Sequence, residues 1–274
     1  MPYFKAADGT KLYYEESGKG IPILCLAGLT RNTADFDHVA PHLPVRLIRM
    51  DYRGRGQSDW TDPSTYTILQ ESADALALLD HLRLKKVAIL GTSRGGLIAM
   101  LLAATAKDRL MGVALNDIGP VIEDTGMDVI RDHLGRNPQQ DNHEDAARSR
   151  AKLWTRFAGV PHARWLAEVR AHYAQTMDGL VIRYDPNLRR IVLAAEAQPT
   201  PDLWPFYDAL GGMPLALIRG ANSDLLSEET ADEMLRRRPD IIRADIPNRG
   251  HVPFLDETDA LDALTEWLED LHEL

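Results

Sequence analysis

In the stretch VAILGTSRGGLIAM, residues 87–100, one serine stands between two glycines, with apolar runs on either side. A serine hydroxyl is a weak nucleophile at neutral pH, so it attacks a carbonyl only when a base takes its proton and a third group orients that base. The Gly-x-Ser-x-Gly spacing of Gly91, Ser93 and Gly95 suits this task. Small flanking residues let the backbone fold back tightly between a strand and a helix, holding the Ser93 hydroxyl out above the strand end. The next amide, that of Arg94, then points with the helix N-terminus toward any oxyanion formed there. The same residues would also serve as an ordinary helix cap, since serine is a good N-cap, and the rest of the chain has to discriminate.

The candidate base is His251 in IPNRGHVPFLDE, because it lies on a loop after a late strand. His38 and His42 flank a short helical segment, His81 falls in a long helix, and His133, His143, His162 and His172 fall in a region of different character. For the orienting carboxylate, Asp224 in LALIRGANSDLLS follows the strand ending at Arg219, and its simpler reading is a helix cap. Asp117 in ALNDIGP competes, as it also follows a strand. The chain order Ser, Asp, His, with the last two flanking the final strands, favours Asp224. A second oxyanion donor is expected from CLAGLTRN, where Gly28 permits close backbone approach and the Leu29 amide is the natural donor.

These groups need elements to carry them to one edge. Residues 2–5 and 11–16 read as a hairpin joined by the turn at 7–10. Short apolar runs at 21–27, 46–50, 85–90 and 111–116 read as strands buried on both faces. Helical spacing over 65–84 and 95–106 alternates with them, with a short helix expected at 32–43, which predicts a parallel sheet with helices on its faces. The alternation stops at about residue 121 and resumes near 212 with a strand at 214–219, a helix at 228–238, a strand at 241–246 and an amphipathic helix at 258–271. Between lie helical patterns rich in Arg, His, Trp and Ala. The expectation is a core of residues 1–120 and 212–274, interrupted by a helical cap at 121–211.

Five segments in this order resemble the α/β-hydrolase superfamily: LAGLTRN its oxyanion loop, DYRGRGQSD the segment after the next sheet strand, GTSRGG its nucleophile turn, RGANSD its acid loop and GHVPFLDE its histidine loop. The resemblance implies the α/β-hydrolase fold, a mostly parallel sheet with an antiparallel hairpin at its start and an inserted cap. It assigns the nucleophile to Ser93, the acid to Asp224, the base to His251 and the oxyanion amides to Leu29 and Arg94. Many members have His-Gly where this chain has Ala27-Gly28, which matters little for a backbone donor. Serine rather than aspartate at the turn separates the chain from the haloalkane dehalogenase and epoxide hydrolase branches.

The implied reaction is hydrolysis of a small-molecule ester or lactone through an acyl-enzyme on Ser93. Carbon–carbon cleavage of a ring-cleavage diketone is the alternative; amide or peptide cleavage, cofactor-free perhydrolysis and a non-catalytic ligand-binding protein on the same fold rank lower. Neither metal nor organic cofactor is needed, and Pro41 with no completing acid argues against a metal at His38 and His42. Arg31 and Arg94 are candidates for gripping an anionic substrate, whereas Arg53 and Arg55 read mainly as parts of a turn. Trp154, Trp165, Tyr173, Trp204, Phe206 and Tyr207 read mostly as cap packing, with some expected to line a pocket.

Composition narrows the classes further. With 274 residues, 45% hydrophobic and 26% charged, the chain is long enough to bury a large core. A formal net charge of −10 argues against a nucleic-acid surface. No basic leader followed by an apolar run opens the sequence and no run of about 18 apolar residues occurs, so a cytoplasmic protein with no membrane association is expected. The lone Cys25 sits in an apolar run and reads as a buried strand residue.

Overall fold

The computed structural model describes residues 2–199 and 201–273, and of Glu196 the backbone alone. The ends of the expected core at 1 and 274, and position 200 in the insertion, lie outside the described residues. The chain opens with β1 (Tyr3–Lys5) and β2 (Lys11–Ser17), which pair antiparallel with Phe4 opposite Leu12. There follow β3 (Pro22–Leu26), two short 3-10 turns at Thr33–Phe36 and Ala40–His42, β4 (Arg46–Met50), α1 (Ile68–His81), β5 (Val87–Thr92), α2 (Arg94–Thr105) and β6 (Leu110–Asn116). The helix expected over 32–43 is thus two separate turns, because Asn32 caps the first and Pro41 starts the second.

The insertion holds α3 (Asp124–His133), α4 (His143–Leu153), α5 (His162–His172), β7 (Tyr173–Thr176), β8 (Gly179–Ile182), α6 (Leu188–Glu196) and α7 (Trp204–Asp208). It is therefore not purely helical, which corrects the expectation. The pattern ARWLAEVRAHYAQTM continues past the helix end at His172 into a strand, and the turn at Met177, Asp178 and Gly179 reverses the chain with Gly179 at φ 114°. The last part of the chain supplies β9 (Leu215–Gly220), α8 (Glu228–Arg237), β10 (Ile242–Ile246) and α9 (Thr258–His272).

Eight strands form one sheet in the order β1-β2-β4-β3-β5-β6-β9-β10, parallel from β4 to β10. Central strands such as β5 are buried at every residue, which explains their unbroken apolar runs. The edge strand β10 instead carries Arg243 and Asp245, charges that discourage pairing with another chain. One face of the sheet is covered by α1, α2 and α8, whose Leu78, Ile98 and Met234 pack on Ile89 and Leu115. The other is covered by α9, with Trp267 and Leu264 against Leu90 and Ile218. Burying these side chains contributes about 1.5–3 kcal/mol each before the entropy of ordering is subtracted.

Trp154, Phe157 and Trp165 of the insertion pack with Phe254 of the loop after β10, edge to face or tilted, with ring centroids 5.3–5.9 Å apart. Tyr207 of α7 behaves differently. It is fully buried in the main core and donates its hydroxyl to the Met234 carbonyl at 2.8 Å, so the end of the insertion packs with the sheet.

Candidate active site

The turn after β5 has the geometry its glycines require. Ser93 sits at φ 50°, ψ −114°, a conformation that costs on the order of 1–3 kcal/mol and is held by its surroundings. A Cβ on Gly95 would stand 2.0 Å from the Leu26 carbonyl oxygen, and one on Gly91 would stand 2.7 Å from the Gly95 backbone. Only glycine lets the strand and the helix pass this closely. The Ser93 amide donates to the Asn116 carbonyl at 2.9 Å, which ties the turn to the end of β6.

His251, on the loop after β10, lies beside it. The Ser93 hydroxyl is 3.0 Å from Nε2, and Nδ1 is 2.7 Å from Oδ2 of Asp117. A carboxylate can only accept, so the ring proton resides on Nδ1 and Nε2 is left to accept from the serine. Asp117 is fully buried and its carboxylate takes two further donors, the Gly220 amide at 2.7 Å and the Ser223 hydroxyl at 2.6 Å. Ser223 in turn accepts from the amides of Leu225 and Leu226, which fixes its direction.

Asp224 is not the carboxylate at His251, a correction to the expectation. The loop that carries it presents Ser223 inward to Asp117, while the neighbouring side chain faces the cap and pairs with Arg156 at 3.1 Å. Gly220 packs so tightly on the 249–250 backbone that a Cβ there would meet the Gly250 carbonyl at 2.5 Å, leaving no room for a longer side chain to swing in. Asp117 instead reaches the histidine because it leaves β6 at φ 54°. The signal for it in the sequence was its place directly after a central strand; Ser223 gave none.

Among the described residues the backbone amides of Leu29, next to Gly28, and of Arg94, next to Ser93, have no hydrogen bond to another protein group. Gly28 lies beside the turn, where a Cβ would be in ordinary contact with Ser93 Cβ at 3.8 Å and crowd the Arg31 side chain at 3.2 Å. The side chains of the two candidate anion-binding arginines are differently occupied. Arg94 donates from Nε to Glu71 at 2.6 Å and from Nη2 to the Tyr66 carbonyl at 3.1 Å. Arg31 directs Nη1 toward Glu168, Asp35 and His172, and among the described residues its Nε and Nη2 have no protein partner.

His172 donates to Asp35 at 2.9 Å and accepts from Arg150 at 2.9 Å. Burial, reinforced by Arg31 and Arg150, pushes its pKa well below the usual imidazole range, and burial raises that of Asp35. Arg31, Asp35, Thr92 and Asn116 border a cavity of about 20 Å³, room for one water. Arg53 is buried in a two-pronged pair with Asp74, both distances 2.7 Å, and is part of the turn as expected. Among the described residues no three His, Cys, Asp or Glu side chains are grouped as metal ligands would be, and no helix is long and apolar enough to cross a membrane.

Comparison with known proteins places this geometry in context. A 3-hydroxybutyrate-oligomer hydrolase of Cupriavidus necator is 34% identical over 243 residues, 84% of this chain and 82% of that protein. A 2-(acetamidomethylene)succinate hydrolase of Mesorhizobium japonicum is 29% identical over 88% of this chain and 84% of its own length. The crystal structure of an α/β hydrolase from Novosphingobium aromaticivorans superposes with a TM-score of 0.92 at 34% identity, covering 98% of this chain and 97% of that one. The family model described as alpha/beta hydrolase matches residues 23–264, and the chain is accordingly a hydrolase belonging to the alpha/beta hydrolase family.

Proposed function

We propose that the protein hydrolyses carboxylic esters through an acyl-enzyme on Ser93, with His251 as base and Asp117 as the residue that orients it. The observation that carries this is the unbroken relay from the Ser93 hydroxyl through His251 Nε2, at 3.0 Å, to Asp117 on Nδ1 at 2.7 Å. His251 takes the hydroxyl proton as Oγ attacks the carbonyl carbon. The negative charge that develops on the carbonyl oxygen is stabilised by the amides of Leu29 and Arg94. The tetrahedral intermediate collapses, His251 protonates the departing alkoxide, and water, activated by the same histidine, releases the acid and restores Ser93.

The similarity to a hydrolase named for 3-hydroxybutyrate oligomers supports oligoesters of short hydroxy acids as the substrate class. Such a substrate ends in a carboxylate, and we assign its binding to the guanidinium of Arg31, whose Nε and Nη2 have no protein partner among the described residues. The test is turnover of p-nitrophenyl butyrate and of the 3-hydroxybutyrate dimer by the wild type and Ser93→Ala, with labelling by a fluorophosphonate. Loss of turnover by at least 10³-fold in Ser93→Ala and labelling at Ser93 are expected. Turnover of a diketone or an amide, but of no ester, would replace the ester reading; no labelling and no turnover would remove the serine mechanism.

A further inference from the structure

Arg55 and Glu71, both buried, and the partly buried Arg94 form a charged cluster that the relay itself does not use. Glu71, in the first turn of α1, and Arg55, in the turn after β4, are 0% and 1% exposed. Arg55 Nε donates to the Leu29 carbonyl at 2.9 Å and Nη1 to the Arg53 carbonyl at 2.8 Å. Nη1 also lies 2.8 Å from Glu71 Oε1, an ion pair whose angle falls outside hydrogen-bonding geometry. The other oxygen of Glu71, Oε2, accepts from Arg94 Nε at 2.6 Å. One carboxylate therefore links two guanidinium groups, one holding the carbonyl of Leu29 and the other belonging to Arg94 itself.

Leu29 and Arg94 are the two residues whose amides are assigned to the oxyanion in the reading proposed above, on which this inference rests. Their segments come from separate parts of the sheet edge, the loop after β3 and the start of α2. An oxyanion hole works only while both donors stay about 2.7–3.1 Å from the oxygen position, and displacement by about 1 Å costs on the order of 10²-fold. Removing one carboxylate and two guanidinium groups from water is costly, and apolar residues of similar size would often serve stability as well. What the ionic cluster adds is direction: the Arg94–Glu71 and Arg55–Leu29 hydrogen bonds have defined partners and lengths, the Arg55–Glu71 ion pair joins them, and the chain of contacts ends on the two segments that must keep their spacing.

We propose that Glu71 is a positioning residue which, through Arg55 and the Arg94 side chain, sets the separation of the Leu29 and Arg94 amides. The Arg94 side chain thus acts on the transition state from behind, through its own backbone. The backbone of Arg55 forms an antiparallel β-bridge with that of Tyr184 in the insertion, in which the Asp185 amide donates to the Gly54 carbonyl at 2.8 Å and the Gly56 amide to the Arg183 carbonyl at 2.8 Å, so the brace rests on a turn clamped from outside.

The test compares wild type, Glu71→Gln, Arg94→Met and Arg94→Lys on p-nitrophenyl butyrate, together with affinity for a butylboronic acid, which forms a tetrahedral adduct with serine, and for butyrate as a ground-state ligand. In Arg94→Met the expectation is a fall in kcat of about tenfold or more, KM within about twofold, and a parallel loss of boronate affinity with butyrate binding unchanged. Arg94→Lys, which keeps one bond to Glu71, recovers part of kcat. Glu71→Gln behaves as Arg94→Met if it folds, and thermal unfolding of each variant separates lost positioning from lost structure. A variant Arg94→Met with wild-type kcat and boronate affinity, or a loss confined to KM, overturns the brace alone. Wild type that neither turns over the ester nor takes a fluorophosphonate on Ser93 overturns the serine reading, and the brace with it.

Discussion

Replacing Asp117 by Asn changes one atom in the relay, and the surroundings dictate how that atom is placed. Oδ1 of Asp117 faces the Gly220 amide at 2.7 Å, a group that can only donate. The asparagine must keep its oxygen there and turn its NH2 to the other side, toward Ser223 and His251. Ser223, which already accepts from two amides, loses its acceptor there, and His251 can receive a hydrogen bond at Nδ1 only by moving its own proton to Nε2. Nε2 then no longer accepts from Ser93, and the base is lost without any change of shape. A switch of this kind in a serine relay costs about 10⁴ in kcat, equivalent to about 5.5 kcal/mol at 1.36 kcal/mol per decade. Asp224→Asn, by contrast, breaks only a pair with Arg156, itself half exposed, an interaction worth about 0–1 kcal/mol. Its kcat should stay within about threefold of wild type. Steady-state turnover of p-nitrophenyl butyrate by both variants, with thermal unfolding as a check on folding, decides the matter. A mild Asp117→Asn and a crippled Asp224→Asn would refute the reasoning.

Two further predictions concern stability and reactivity. Cys25 is fully buried in β3 and burial pushes its thiol up to about 12, so a disulfide reagent at pH 8 should leave the native protein untouched and react fully after denaturation; rapid native labelling would show that β3 opens readily. Asp51 is pushed up to about 6, first by burial and against the backbone bonds from Gln57 and Thr33. Because its folded pKa lies above the unfolded value, its stabilising effect is complete below about pH 4 and is lost as pH rises through 6, a change of roughly 3 kcal/mol. Urea unfolding between pH 4 and 7 should show this slope in wild type, and a pH dependence that is the same in Asp51→Asn would contradict it.

Much of this architecture was legible in the residues because the relevant rules are local. Unbroken apolar runs such as Val87–Thr92 have to be buried on both faces, and alternation with helical spacing then requires a parallel sheet. The Gly91, Ser93, Gly95 spacing was equally readable, since the steric demand of the turn falls on those positions themselves. The cap hairpin at 173–182 was missed where a helical pattern ran on past its end, because a strand of four residues carries too little periodicity to be seen.

The sequence by itself determined which residue types could perform acyl transfer, and which loops would bring Ser93 and His251 to one edge, because each follows a strand of a parallel sheet. It left two aspartates, each on a loop of that edge, as candidates for the third position. Only the tertiary structure chose between them, since the choice depends on the φ of 54° at Asp117, on Ser223 rather than Asp224 facing inward, and on the contact of Gly220 with the 249–250 backbone. It also decided the fate of Arg94, whose partner Glu71 stands 23 residues away in another helix. Spacing along the chain reports which face a residue occupies; which partner waits on that face is settled by packing between segments distant in sequence.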